Sequence, residues 1–235
     1  MNSDNSYGKL FISFKQYLIQ ITKDAMLFII CLAPLMCGAL FKFGIPAAEK
    51  LINLESYYLL FDLLLAVLTP MMISYVSSMV ILGDLDEGIT RYIAVTPLGK
   101  SGYLISKLVF PLSVSFFITI IVLMIFSLTE IALMQIIGIS ILTSLLGLIM
   151  SMMVISISAN KVEGMAVIKL SGIAMIGIPA AFLTAEGVQY MFFFLPSLWI
   201  AKFSMQYSLI YFVLCIAVSS VWILFFIKKF LKKIH

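Results

Sequence analysis

Charge is scarce in this sequence. Charged residues make up 11% of 235 and hydrophobic ones 63%, where a soluble domain holds roughly a quarter and a half. That imbalance excludes a soluble globular domain. Histidine is almost missing: the one copy is His235, which removes the imidazoles that acid–base catalysis and many metal sites use. Three cysteines, Cys31, Cys37 and Cys215, all lie in apolar runs without CxxC spacing. Neither a zinc site nor a disulfide framework follows from them. Arginine is represented by Arg91 alone. No basic patch interleaved with aromatics stands outside the apolar runs, which argues against nucleic acid as a partner.

Catalytic motifs are missing too. There is no GxSxG and no HExxH. Asp86-Glu87 followed by Arg91 imitates the EExxxR pattern of one family of intramembrane proteases, but that chemistry also needs intramembrane histidines. Gly99-Lys100-Ser101 has the ending of a phosphate-binding loop. Its first glycine position is Ala94, and no strand precedes it, so the chain carries no nucleotide motif. Residues 1–21 lack the basic start, short apolar core and small-residue cleavage site of a signal peptide.

What the chain does have is apolar length. At ~20 residues per crossing, it reads as one all-α, polytopic transmembrane domain over residues 1–235 with six transmembrane helices. The spans fall at about 25–43, 57–82, 108–128, 131–158, 165–183 and 208–227. Pro34 and Thr69-Pro70 lie inside the first two, and Pro70 should kink the second. Before the first span, residues 9–23 place Leu10, Phe11, Phe14, Tyr17, Leu18 and Ile21 at helical spacing. They read as an interfacial helix with lysines toward lipid headgroups, or else as a cytosolic helix packed on a partner. Between spans five and six, residues 190–200 (YMFFFLPSLWI) are too short to cross and are broken by Pro196. A short external re-entrant or surface-lying hairpin fits that length.

Lysine placement sets the orientation. With both termini cytosolic, twelve of the fifteen basic residues lie inside, and Lys42, Lys50 and Lys202 lie outside, as the positive-inside rule requires. The stretch 82–107 is then cytosolic. Within it, Leu85, Ile89, Tyr92 and Ile93 share one helix face, and Asp84, Asp86, Glu87 and Arg91 lie off that face. Thr96-Pro97 ends this short amphipathic helix. It reads as a docking element for a soluble partner, against the plainer reading of a solvated loop.

Few residues within the spans carry chemistry. Asp62 is the one acid well inside a span, and an intramembrane carboxylate is a functional candidate by default. It shares a face with Thr69. The plainer reading has Asp62 at the outer interface or capping a neighbouring helix. In span four, Ser140, Ser144, Gly147, Ser151 and Ser158 form a small-residue stripe. Such stripes let helices pack closely, and a polar pathway lining is the sharper alternative.

This architecture resembles the permease of type-2 ABC exporters. The local likeness is carried by Asp86-Glu87-Gly88, Arg91, Thr96-Pro97-Leu98 and Tyr103-Leu104-Ile105-Ser106-Lys107, similar to a run in bacterial drug- and peptide-export permeases. The resemblance implies a membrane subunit in a bacterial plasma membrane, paired with a second copy or a related permease. It implies an ABC ATP-binding subunit docked on a coupling helix at 84–95, with no cofactor in this chain and ATP and Mg on that partner. It also implies that spans two and five line the path, which brings in Asp62, Thr69 and Gly177. The implied cargo is an amphipathic small molecule or peptide such as an antibiotic or bacteriocin. The competing readings are an ion-coupled transporter or channel using Asp62, and a membrane immunity or scaffold protein that transports nothing.

Overall fold

The computed structural model describes residues 15–49, 53–88, 103 and 105–234, and every regular element among them is helical. The helices are α1 (15–23), α2 (Ala25–Glu49), α3 (Tyr58–Asp86), α4 (Phe110–Phe126), α5 (Leu133–Ile157), α6 (Lys161–Ser171), α7 (Gly177–Leu183), α8 (Glu186–Gln189), α9 (Pro196–Gln206) and α10 (Leu209–Ile234). Six stretches are long and apolar enough to cross a membrane: Ala25–Glu49, Glu55–Asp86, Ser106–Phe126, Leu133–Ile157, Lys161–Leu183 and Leu209–Lys233. This is a membrane protein with six candidate spans, as the apolar runs require.

The bundle is built on α3 and α5. In their most apolar stretches 67% and 72% of residues are buried, against 17% in α2 and in α10. The reason lies in side-chain size. Lipid is as apolar as leucine, so helices associate where small residues let backbones approach. Ser74 and Ser78 on α3 face Gly147 and Ser151 on α5, and Ser78 and Ser151 share a hydrogen bond of 3.0 Å. At Gly147 and Ser151 the small-residue stripe is thus a packing seam. The large apolar side chains of α2 and α10, such as Leu40, Phe43, Ile210 and Val221, point outward, where lipid covers them.

Several boundaries differ from the sequence expectation. The helix of span two continues past Leu82 to Asp86, so Asp84, Leu85 and Asp86 form its last turn. Gly88 then takes φ +70°, a left-handed turn that glycine adopts without strain. α3 thus ends just before this glycine, and the rest of the expected docking stretch, 89–95, lies outside the described residues. The helix is also continuous through Pro70. Span five, by contrast, is broken. α6 gives way to a 3₁₀ turn at Gly172–Met175 before α7. Gly172 and Gly177 favour helix weakly, and Pro179 removes the N–H that would close on Met175.

The segment 190–200 divides in two: Tyr190, Met191, Phe193 and Phe194 are exposed, and the residues from Leu195 on are buried. Pro196 opens α9, whose residues 196–204 are all buried against α7, α5 and α10. The Phe194 carbonyl accepts the indole N–H of Trp222 at 2.8 Å, more than three turns inside α10. At its other end, the Ser204 carbonyl accepts from Gln135 at 2.7 Å, beside the start of α5. Tyr207, at φ 46°, turns the chain into α10.

Candidate functional site

Two regions carry the sequence candidates. The first is the end of α3, where the stretch expected to dock a partner begins. Asp84 is 4% exposed and turned into the bundle. Tyr103 donates to its Oδ2 at 2.7 Å, Gln20 donates to its Oδ1 at 3.2 Å, and the Lys107 ammonium lies 3.5 Å from Oδ2. Lys107 in turn donates to Gln20 Oε1 at 2.7 Å and stands 5.6 Å above the Tyr17 ring. Tyr17 and Ser77 share a hydrogen bond of 3.0 Å. These residues come from α1, α3 and the chain entering α4, which opens with a π-helical turn at Ile105–Val109. A buried ion pair is tolerable only when its remaining donors and acceptors are matched, and Gln20 and Tyr103 do the matching. Burial pushes the Tyr17 and Tyr103 hydroxyls well above the ordinary tyrosine value, and the Asp84 charge adds to the rise at Tyr103.

The neighbours of Asp84 divide differently. Leu85 packs on the apolar core at this end. The exposed Asp86 accepts the Lys161 backbone N–H at 3.0 Å, capping the start of α6. Glu87 is exposed and borders a 230 Å³ crevice with Gln20, Lys23, Asp24 and Lys161. Ile89, Arg91, Tyr92 and Ile93 lie outside the described residues. The N-terminal helix, where described, is fastened to the bundle by its buried Tyr17 and Ile21, with Lys15 and Lys23 exposed.

The second region holds the pathway candidates. Asp62 is buried and accepts three hydrogen bonds, from Leu128 N (2.8 Å), Thr129 N (2.9 Å) and Thr129 Oγ1 (2.6 Å). The carboxylate holds the turn between α4 and α5. Thr69 is buried and donates to Leu65 O at 3.2 Å. Gly177 is pressed onto α9, where a β-carbon would meet Leu198 N and Ser197 Oγ at 2.4 Å each. Each of the three is thus engaged by a different neighbour. A 450 Å³ hollow does open beside the Asp62-held turn, lined by Met124, Thr129, Glu130 and Leu133 among others.

Sequence reasoning missed the partners of Asp84. In sequence Lys107 reads as a basic residue on the inner side and as the end of the Tyr103–Lys107 run, with no partner assigned. The available signal was spacing: Tyr103 and Lys107 are four apart, so a helical chain turns both to the same side.

No curated protein and no solved structure matches the chain. A family model does, described as the fluoroquinolones export permease protein Rv2686c-like, over residues 17–228. The matched region runs from the Tyr17 anchor on α1 to Lys228 in α10, so it takes in five candidate spans whole and most of the sixth. The chain belongs to the Rv2686c-like family of fluoroquinolones export permease proteins.

Proposed function

We propose that this chain is the membrane-spanning permease subunit of an ATP-driven exporter, moving an amphipathic small molecule out of a bacterial cell. A fluoroquinolone-like antibiotic leads the cargo list, ahead of a peptide. The observation that carries the reading is the family match over residues 17–228, whose description names a drug export permease. ATP and Mg would be held by a separate ABC subunit, and a second permease, identical or related, would complete the path. The ABC subunit would dock on the segment after α3 through Glu87, Ile89, Arg91, Tyr92 and Ile93. Both termini would lie in the cytosol of a plasma-membrane protein. The geometry weighs against ion coupling through Asp62, whose carboxylate is already engaged by three donors. The path itself would run elsewhere along spans two and five, with Thr69 and Gly177 framing it rather than touching cargo.

The test is co-purification with the ATPase subunit, followed by ATP hydrolysis and antibiotic efflux in proteoliposomes. The wild type should bring down the ATPase, and Glu87→Lys with Ile89→Asp should lose it. Efflux without any ATPase would revive the ion-coupled reading. Absence of efflux under all conditions would favour the immunity or scaffold reading.

A further inference from the structure

Segment 89–102 connects Gly88, just past α3, to Tyr103 and the start of span three. The two points are not separate. Asp84, four residues before the Gly88 turn, holds Tyr103 at 2.7 Å and stands 3.5 Å from Lys107. Both roots of the segment are therefore closed on each other by one buried group. Gln20 extends the closure to α1, because its amide accepts from Lys107 and donates to Asp84. Tyr17 adds a further tie from α1 to Ser77, two helical turns up α3.

Burial of so many polar groups needs a reason, since apolar side chains could pack the same junction without desolvating a charge pair. Directional bonds differ from apolar packing in what they transmit. An apolar contact slides, whereas a matched pair with satisfied neighbours holds one register. We infer that Asp84, Lys107, Tyr103 and Gln20 form a clasp that makes α1, the end of α3 and the entry of span three move as one unit. Displacement of segment 89–102 then reaches the spans instead of bending the segment's own roots. This rests on the exporter reading, in which that segment receives the stroke of the ATPase. These four are positioning residues, remote from any cargo.

The clasp has a property that makes it testable. Gln20 presents a carbonyl to the cation and an amide to the anion. Turning that amide over serves the reversed pair equally well, and the Tyr103 oxygen can accept where it donated. Asp84→Lys combined with Lys107→Asp should therefore restore what either change alone destroys.

The experiment measures antibiotic efflux and ATP hydrolysis together, in proteoliposomes holding the permease with its ATPase subunit. Asp84→Asn and Lys107→Met should keep the ATPase bound and hydrolysing, while cargo moved per ATP falls about tenfold, the size of a modest coupling energy. The reversed pair should recover most of that ratio. Should the single variants fail to fold, Tyr17→Cys with Ser77→Cys supplies a second arm. A short thiol-reactive cross-linker spanning the place of the tyrosine ring should leave efflux intact, because α1 and α3 already move together. Unchanged cargo per ATP in the single variants, or loss of efflux on linking with ATPase still bound, overturns the clasp alone. A wild-type complex that shows no coupled hydrolysis overturns the exporter reading, and the clasp's role with it.

Discussion

Gly147 of α5 lies so close to Pro70 of α3 that a β-carbon added at 147 would stand 2.9 Å from the proline Cβ and 3.0 Å from its carbonyl oxygen. The Pro70 carbonyl and ring belong to a continuous helix, so neither can step aside as a flexible side chain would. Gly147→Val should destabilise the bundle by about 1–3 kcal/mol, the usual range for overpacking. Gly147→Ala should do less. Thermal unfolding in detergent reads the difference, and an unchanged midpoint for the valine variant would refute the close seam.

Asp62 makes a separate prediction. Asp62→Ala leaves the half-buried Leu128 and Thr129 N–H groups without their acceptor, at a total cost of about 1–3 kcal/mol, the range for one fully buried donor left unsatisfied. Asp62→Asn should be milder, since its carbonyl still accepts. Neither change should alter how efflux depends on pH. A shifted pH profile in the asparagine variant, at unchanged stability, would mark Asp62 as a proton or cation site.

The hairpin before α10 carries its own optical probes. The chain has two tryptophans, and both donate to adjacent hairpin carbonyls, Trp199 to Phe193 and Trp222 to Phe194. Gly177→Ala places a β-carbon 2.4 Å from the Leu198 amide nitrogen, which forces α7 and α9 apart. Indole emission should shift to longer wavelength and become more open to a water-borne quencher. Identical emission would mean that the hairpin does not depend on this contact.

Alkali should unfold the protein through its buried phenols. Tyr17 and Tyr103 have hydroxyls raised by burial, so the folded state keeps protons that the unfolded chain releases near pH 10. Stability is then level below about pH 10 and falls above it, because there the unfolded state binds fewer protons than the native one. Tyr103→Phe should flatten that fall. Thermal midpoints on either side of the transition, with tyrosinate absorbance recorded alongside, check both statements.

Much of the fold was legible because lipid imposes length. Apolar runs near twenty residues place six spans, and the helices of spans one, two and six run on past them, to Glu49, Asp86 and Ile234. The overrun at span two is instructive. Gly83, Asp84 and Asp86 look like loop residues by composition, yet the helix continues because Lys107, Tyr103 and the α6 amide satisfy those acids. Tertiary partners some 20 and 75 positions away leave no local signature. The same holds for the hairpin: Pro196 reads as a break, and only its place as the first residue of α9 shows why it is tolerated. The serine and glycine stripe was legible as packing because small residues at helical spacing serve that end regardless of partner. Asp62 reads in sequence as a site, an outer-interface group or a cap, and its bonds to the 128–129 turn, some 66 positions away, leave no mark there.

Lys233, on the last turn of α10, donates to the Ile155 and Ser158 carbonyls at the end of α5. Those carbonyls emerge from the ribosome 75 to 78 residues before the lysine that closes them. Span four, half of the central pair, thus inserts before the lysine that closes its end has been made. Latching of α5 to α10 follows insertion of span four by chain order, and a translation arrest within α10 should expose a folding intermediate with that latch still open.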